Sequence, residues 1–263
     1  MLALLWPTVC VGCGLQDREL CAGCREEVAD PAGIAPLLRV EGLGAPGIAA
    51  ASYAGSVRGA LVAYKHRGAY GFVRPLGRRL AHALGEAVAL ASDPALWEPP
   101  ADREGPPVLA DAALAAPLLA PLLAPLLVPL LVPLPSRPQR VRERGWKHVD
   151  ELVRVALRHG RIPLTQCPAL RSLPGRSGQV GLDVAARERN ARRVAVRRKH
   201  ARQLRGRRVI LVDDIVTTGA SARAAIAVLE REGARVVAVV TLCLTPRRDS
   251  PQKTEWNLTG ERG

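Results

Sequence analysis

A chain of 263 residues with 48% hydrophobic residues can bury one good core plus a small appendage, which excludes a disordered polymer. Its formal charge of +14 is carried by 34 arginines and only four lysines (Lys65, Lys147, Lys199 and Lys253). Guanidinium forks match phosphate oxygens, so this balance favours phosphate-bearing partners, although a residue bias shared with the abundant Ala, Gly and Pro accounts for it equally well. With four Trp, three Tyr and one Phe, a stacking platform for single-stranded nucleic acid is hard to build.

The opening MLALLWPTVCVGC has a short apolar run without a basic flank or a clear cleavage site, and is read as no signal peptide, hence a cytoplasmic protein. Cys10, Cys13, Cys21 and Cys24 then form two C-x2-C pairs seven residues apart. Four thiols within fifteen residues, in a chain read as cytoplasmic, point to tetrahedral Zn(II) bound by four thiolates; disulfides and an iron–sulfur cluster are the other readings. Four protein ligands leave no open position, so the metal is expected to be structural. A Gly/Pro/Ala linker leads to a strand around IAAASY, 48–53. Helical spacing follows in SVRGALVAYKHRG and GFVRPLGRRLAHALGEAVALA.

Residues 112–136 carry no charge, a length that alone suggests a membrane span. However, Pro117, Pro121, Pro125, Pro129 and Pro133 recur every four residues, each lacking an N–H and clashing one turn back, so no regular helix forms. The repeat is read as a soluble low-complexity insertion at 112–131, without membrane insertion, that ends in a strand and tight turn at LLVPLP.

Beyond it, WKHVDELVRVALRHG places Val149, Leu152, Val153 and Ala156 on one helical face, with Gly160 as a stop. RRVILVDD reads as a buried strand, ASARAAIAVLEREG as a helix and ARVVAVVTLCL as the next strand. Strand, helix and strand with short connections specify a parallel sheet, hence an α/β fold. The stretch from Pro246 is polar and expected to be a mobile tail. Cys167 and Cys243 read as packing residues, and His66, His82, His148, His159 and His200 as scattered surface residues.

The stretch VILVDDIVTTGAS, 209–221, runs a buried strand into two carboxylates and then a hydroxyl-rich glycine turn. Such a turn, opening a helix, offers backbone N–H groups and the positive end of the helix dipole to a phosphate. Thr217, Thr218 and Ser221 add hydroxyl donors, while Asp213 and Asp214 can accept hydrogen bonds from vicinal hydroxyls. The two halves describe a ribose-5-phosphate cradle. A simple helix cap is the alternative, but a cap needs only one acid.

This stretch resembles the phosphoribosyl pyrophosphate motif of type I phosphoribosyltransferases. The chain over 6–245 resembles the ComF family, competence-associated proteins that join a cysteine zinc module to such a domain. The resemblance rests on the cysteine pairs, AYKHRGAY at 63–70, LVPLPSRPQRVRERGW at 131–146, QVGLDVAARERN at 179–190 and the motif itself. It implies a type I phosphoribosyltransferase-like parallel sheet flanked by helices at 47–245, a small four-cysteine zinc module at 1–36 and the tail at 246–263. It further implies that Ser136 and Arg137 lie beside the diphosphate, with Arg140 and Arg144 near it. Gln179, Arg187 and Asn190 would lie on a segment closing over the site, which a run of eleven basic residues and one acid over 187–208 suits. Asp213 and Asp214 would hold the ribose hydroxyls, and Thr217, Thr218, Gly219, Ala220 and Ser221 the 5-phosphate. The expected ligand is phosphoribosyl diphosphate with Mg²⁺, with or without phosphoribosyl transfer and pyrophosphate release. The alternative is a non-catalytic accessory protein of DNA uptake that contacts DNA or uptake proteins. This chain departs from the family in following Trp146 with Lys147 and His148 rather than Asn-Gln, and in closing its phosphate turn with Ser221 rather than Thr.

Overall fold

A computed structural model of the protein describes residues 8–66, 68–92, 128–174 and 193–245. The strands are β1 (Leu38–Val40), β2 (Gly47–Ser52), β3 (Leu130–Pro133), β4 (Thr165–Gln166), β5 (Leu170–Ser172), β6 (Val194–Val196), β7 (Arg208–Val216) and β8 (Arg235–Leu244). The helices are α1 (Ala22–Ala29), α2 (Gly55–His66), α3 (Val73–Ser92), α4 (Pro138–Arg144), α5 (His148–Gly160), α6 (Arg198–Leu204) and α7 (Ala220–Arg231). Six strands form one sheet in the order β1-β2-β8-β7-β3-β4, parallel throughout except for β1. That antiparallel edge strand falls within the stretch read from sequence as linker. β5 and β6 form a separate antiparallel pair. The proline-spaced repeat up to residue 127 lies outside the described residues.

The apolar runs of β7 and β8 are continuous because helices cover both faces of the sheet. Pleating sends Ile210, Val212, Ala238 and Val240 into a core shared with Leu61 of α2, Leu80 and Leu84 of α3, and Leu152 and Val153 of α5. It sends Val209, Leu211 and Val239 to the other face, against Ala225, Ile226 and Leu229 of α7. Helix α5 buries the predicted Val149, Leu152, Val153 and Ala156. Its first turn holds Asp150 and Glu151 and its last Arg158 and His159, in the sense that favours the helix dipole.

The cysteine-rich head shares the first core, to which it contributes Cys10, Leu20, Cys24 and Val28. Two devices hold it there. The buried Arg79 of α3 donates to the carbonyls of Glu27 at 2.8 Å, Val28 at 3.0 Å and, on β2, Ala50 at 3.0 Å. At Gly59 of α2, a Cβ atom would lie 2.2 Å from the Val11 carbonyl oxygen, so only glycine permits this approach of head to helix.

The chain order places the crevice. From β3 the chain steps outward to β4, then returns to β7 on the other side of β3 and continues to β8. The connections leaving the carboxyl ends of β3 and β7 therefore diverge, and such a switch point is where open α/β sheets bind ligands. Pro133 ends β3 without breaking the sheet. The Leu134 N–H reaches Val212 and the Leu131 carbonyl faces Cys167, so by alternation Pro133 turns its missing N–H to the side where β4 has already ended.

Candidate functional site

The end of β7 brings Asp213 and Asp214 to the crevice. Asp214 is 6% exposed, Asp213 is partly buried, and the Asp214 N–H donates to Asp213 Oδ1 at 2.8 Å. The turn that follows holds Thr217 exposed and Thr218 half-buried. Gly219 has φ of 73°, which favours glycine, and a Cβ there would lie 2.5 Å from Leu43 Cδ2, so any side chain would also have to displace Leu43. Ala220, whose N–H points at Thr218 Oγ1 (3.4 Å), and Ser221 then open α7, whose first turn lacks a side-chain cap. Arg223 braces the turn by donating to the carbonyls of Thr218 at 2.9 Å and Gly42 at 3.1 Å.

The second wall is the turn after β3. Ser136 and Arg137 are half-buried there, and Pro138 at the first position of α4 fixes the entry to that helix. Arg140 is exposed and donates to Glu143 at 2.8 Å. Arg144 differs: its Nε and Nη1 are buried and find no hydrogen-bond partner among the described residues. Burial pushes the Arg144 guanidinium below its ordinary value, while the charge of Asp214 opposes that.

Two side chains whose roles the sequence left unassigned join these walls. Lys65, in the last turn of α2, places Nζ 2.5 Å from Asp214 Oδ2. His148 is 8% exposed, a correction to its reading as a surface residue: its Nε2 meets the same Oδ2 and its Nδ1 lies 2.9 Å from Ser136 Oγ. It was misread because its partners lie 12 and 66 residues away; the one local signal was the unusual Lys147-His148 pair after Trp146. Burial alone would raise the Asp214 carboxyl, but Lys65 and His148 outweigh it and hold the group well below the usual carboxylate range. Asp213 goes the other way, raised well above that range by burial and by the charge of Asp214.

Three of the eight aromatic residues gather beside this network. Tyr64 is buried and donates to the His148 carbonyl at 3.0 Å; its ring centroid lies 6.5 Å from that of Tyr70 and 6.2 Å from that of Trp146. Tyr70 and Trp146 meet edge to face at 5.5 Å. Composition suggested aromatics too sparse for stacking. The fold concentrates them at one point through AYKHRGAY and RGW. Gln179, Arg187 and Asn190 lie outside the described residues. The strand before them reaches the site, since Ser172 Oγ of β5 points at the Pro135 and Ser136 carbonyls, each at 3.5 Å.

The head presents a separate cluster. The Sγ atoms of Cys10, Cys13, Cys21 and Cys24 lie within 4.8 Å of one another, with Cys13 and Cys21 at 3.7 Å. Tetrahedral zinc with Zn–S near 2.3 Å separates its sulfurs by about 3.8 Å, so the four thiols can hold a metal ion such as zinc. The N–H groups of Cys21 and Cys24 point at Cys10 and Cys21 Sγ, each at 3.4 Å. Burial pushes the Cys10 thiol up, but backbone N–H groups of Cys13, Cys21 and Gly12 bring it down to about 6. Cys167 and Cys243, by contrast, are buried in the two cores, as packing residues should be.

No described helix is long and apolar enough to cross a membrane. No curated protein matches the chain. A family model, the phosphoribosyl transferase domain, matches residues 174–259, which include β6, β7, α7 and β8 and therefore the acid pair and the glycine turn. With that match on a mostly parallel sheet, and the acid pair and turn at its switch point, the chain carries a phosphoribosyltransferase-like domain.

Proposed function

We propose that the switch point binds phosphoribosyl diphosphate with Mg²⁺, and that the protein is a ComF-like phosphoribosyltransferase-family member. The observation that carries the proposal is Arg144: two buried guanidinium nitrogens without a partner among the described residues, at the end of the helix that follows the β3 turn and near enough to Asp214 to feel its charge. Buried guanidinium nitrogens without an acceptor are costly, and an anionic ligand relieves that cost. Ser136, Arg137 and Arg144 face the diphosphate, and Thr217, Thr218, Gly219, Ala220 and Ser221 the 5-phosphate. By resemblance, Arg187 belongs to the segment that closes over the site and binds the ligand there. Lys65 and His148 both address Oδ2 of Asp214, which leaves Oδ1 to accept from a ribose hydroxyl. Mg²⁺ bound with the diphosphate would supply charge neutralisation beside Ser136, Arg137 and Arg144. Transfer would displace pyrophosphate from C1 of the ribose, with arginines stabilising the leaving group and positioning supplying most of the rate. The partly exposed ring of Tyr70 beside Trp146 suits a planar acceptor. In the head, Cys10, Cys13, Cys21 and Cys24 hold one structural zinc, which favours a reducing, cytoplasmic compartment.

A role in DNA uptake is what the ComF resemblance adds. Arg198, Lys199, Arg202 and Arg205 are exposed on and beside α6 and would give weak, salt-dependent polyanion binding without any ribose-phosphate site. Calorimetry separates the two readings. Asp214→Ala removes a charge-assisted bond worth about 1.5 to 3 kcal/mol and is expected to weaken phosphoribosyl diphosphate binding by about 10- to 100-fold, while DNA binding at fixed salt stays level or rises. Equal loss of both with the fold intact would contradict the assignment. A pyrophosphate-release screen across nucleobases then tests transfer.

A further inference from the structure

We propose that His148 is a positioning residue that sets the direction of the Ser136 hydroxyl, so that the diphosphate is bound together with a proton on the imidazole. This rests on the reading of the switch point as a diphosphate site. His148 bridges the two walls of the crevice, with Nε2 on Asp214 Oδ2 and Nδ1 2.9 Å from Ser136 Oγ. A carboxylate only accepts, so Nε2 carries a hydrogen in either charge state, and the one variable is Nδ1. When the ring is neutral, Nδ1 accepts and the Ser136 hydroxyl spends its hydrogen on the imidazole, which leaves only lone pairs for the crevice. These repel phosphate oxygens. When the ring is charged, Nδ1 donates to Oγ and the hydroxyl hydrogen turns outward, ready to donate to an anion.

The surroundings set the resting state. Around the ring stand Asp214 of β7, Lys65, Tyr64 and His66 of α2, Arg144 of α4, Ser136 after β3, and Asp150 on its own helix. Burial lowers the imidazole below its ordinary value, Asp214 opposes this, and Lys65 and Arg144 reinforce it. The free site thus holds a neutral ring at neutral pH. A bound diphosphate screens Lys65 and Arg144, and the ring takes up a proton. No such linkage follows from packing alone, since a ring that only filled space would keep its protonation state on binding.

The test uses the zinc-loaded full chain and phosphoribosyl diphosphate with Mg²⁺, titrated calorimetrically between about pH 6 and 8 in buffers of different ionisation heat. The wild type is expected to take up to one proton beyond those the ligand itself binds, with affinity falling by up to about tenfold per pH unit as pH rises. His148→Gln retains an amide that can donate to Ser136, so it should bind without the extra proton. Equal proton uptake by wild type and His148→Gln would overturn the inference and leave the diphosphate reading standing, whereas no binding by the wild type at any pH would overturn both. If the variant does not fold, imidazole ¹⁵N spectra of the wild type decide. A neutral ring with its hydrogen on Nε2 should become an imidazolium on saturation, and a ring that stays neutral contradicts the proposal.

Discussion

Arg79 and Arg144 both hold guanidinium nitrogens out of water, yet these stand in opposite circumstances. At the junction of head and sheet, all three guanidinium nitrogens of Arg79 reach a backbone carbonyl of the protein. At the switch point, Arg144 keeps Nε and Nη1 buried and unpartnered among the described residues. A satisfied buried charge ties elements together, whereas an unsatisfied one is a cost that a ligand can remove. The two acids of β7 repeat the contrast one residue apart: Asp214 is held ionised by Lys65 and His148, while burial and its neighbour keep the Asp213 carboxyl protonated over a wider pH range.

The contrast breaks most visibly in the head. If the four thiols hold zinc as proposed, Cys10→Ser or Cys24→Ser should abolish zinc binding and unfold residues around α1, because a structural zinc would contribute on the order of 10 kcal/mol to so small a module. Elemental analysis of freshly purified protein and far-UV dichroism check this. Arg79→Ala comes next, since it strands three carbonyls inside the protein and should cost about 3 kcal/mol or more, read as a fall in Tm or in the denaturant midpoint.

Asp213→Asn acts more gently and with a predictable sign. A carboxyl raised in the folded state costs stability as pH climbs from its unfolded value near 3.9 towards its folded one, and asparagine has no such cost. The variant should therefore melt a few degrees higher at pH 7, with the gain vanishing as pH falls to about 4. Asp214 has the opposite sign: its contribution is complete above about pH 4 and is lost in acid. The smallest effect belongs to Glu151→Gln, which breaks a partly exposed pair with Arg154 and should change stability by under about 1 kcal/mol in equilibrium unfolding.

The sheet strands β2, β3, β7 and β8 and the helices α2, α3, α5 and α7 were legible because each declares itself within one stretch by its run or spacing of apolar residues. The shorter α1, α4, α6, β1, β4, β5 and β6 were not, since pieces of two to eight residues owe their form to tertiary contacts. The same division runs through the site. Asp213 to Ser221 and the four cysteines could be read as motifs, because their chemistry is local. Lys65 and His148 could not, because each acquires its meaning only against Asp214, 149 and 66 residues further along. The aromatic cluster was hidden likewise, as Trp146 meets Tyr64 and Tyr70 across the fold.

Thermal unfolding of wild type and Arg144→Ala, with and without phosphoribosyl diphosphate and Mg²⁺, shows whether Arg144 holds the ligand. A ligand at about 100 times its Kd stabilises the folded state by about 2.7 kcal/mol, an upshift of several degrees. The variant should melt at or slightly above the wild-type temperature without ligand, because it loses two buried nitrogens that have no acceptor among the described residues, and should lose most of the upshift at the same ligand concentration. A ligand-free Tm that collapses as in Arg79→Ala, or an upshift as large as that of the wild type, would contradict the assignment of Arg144 to the ligand.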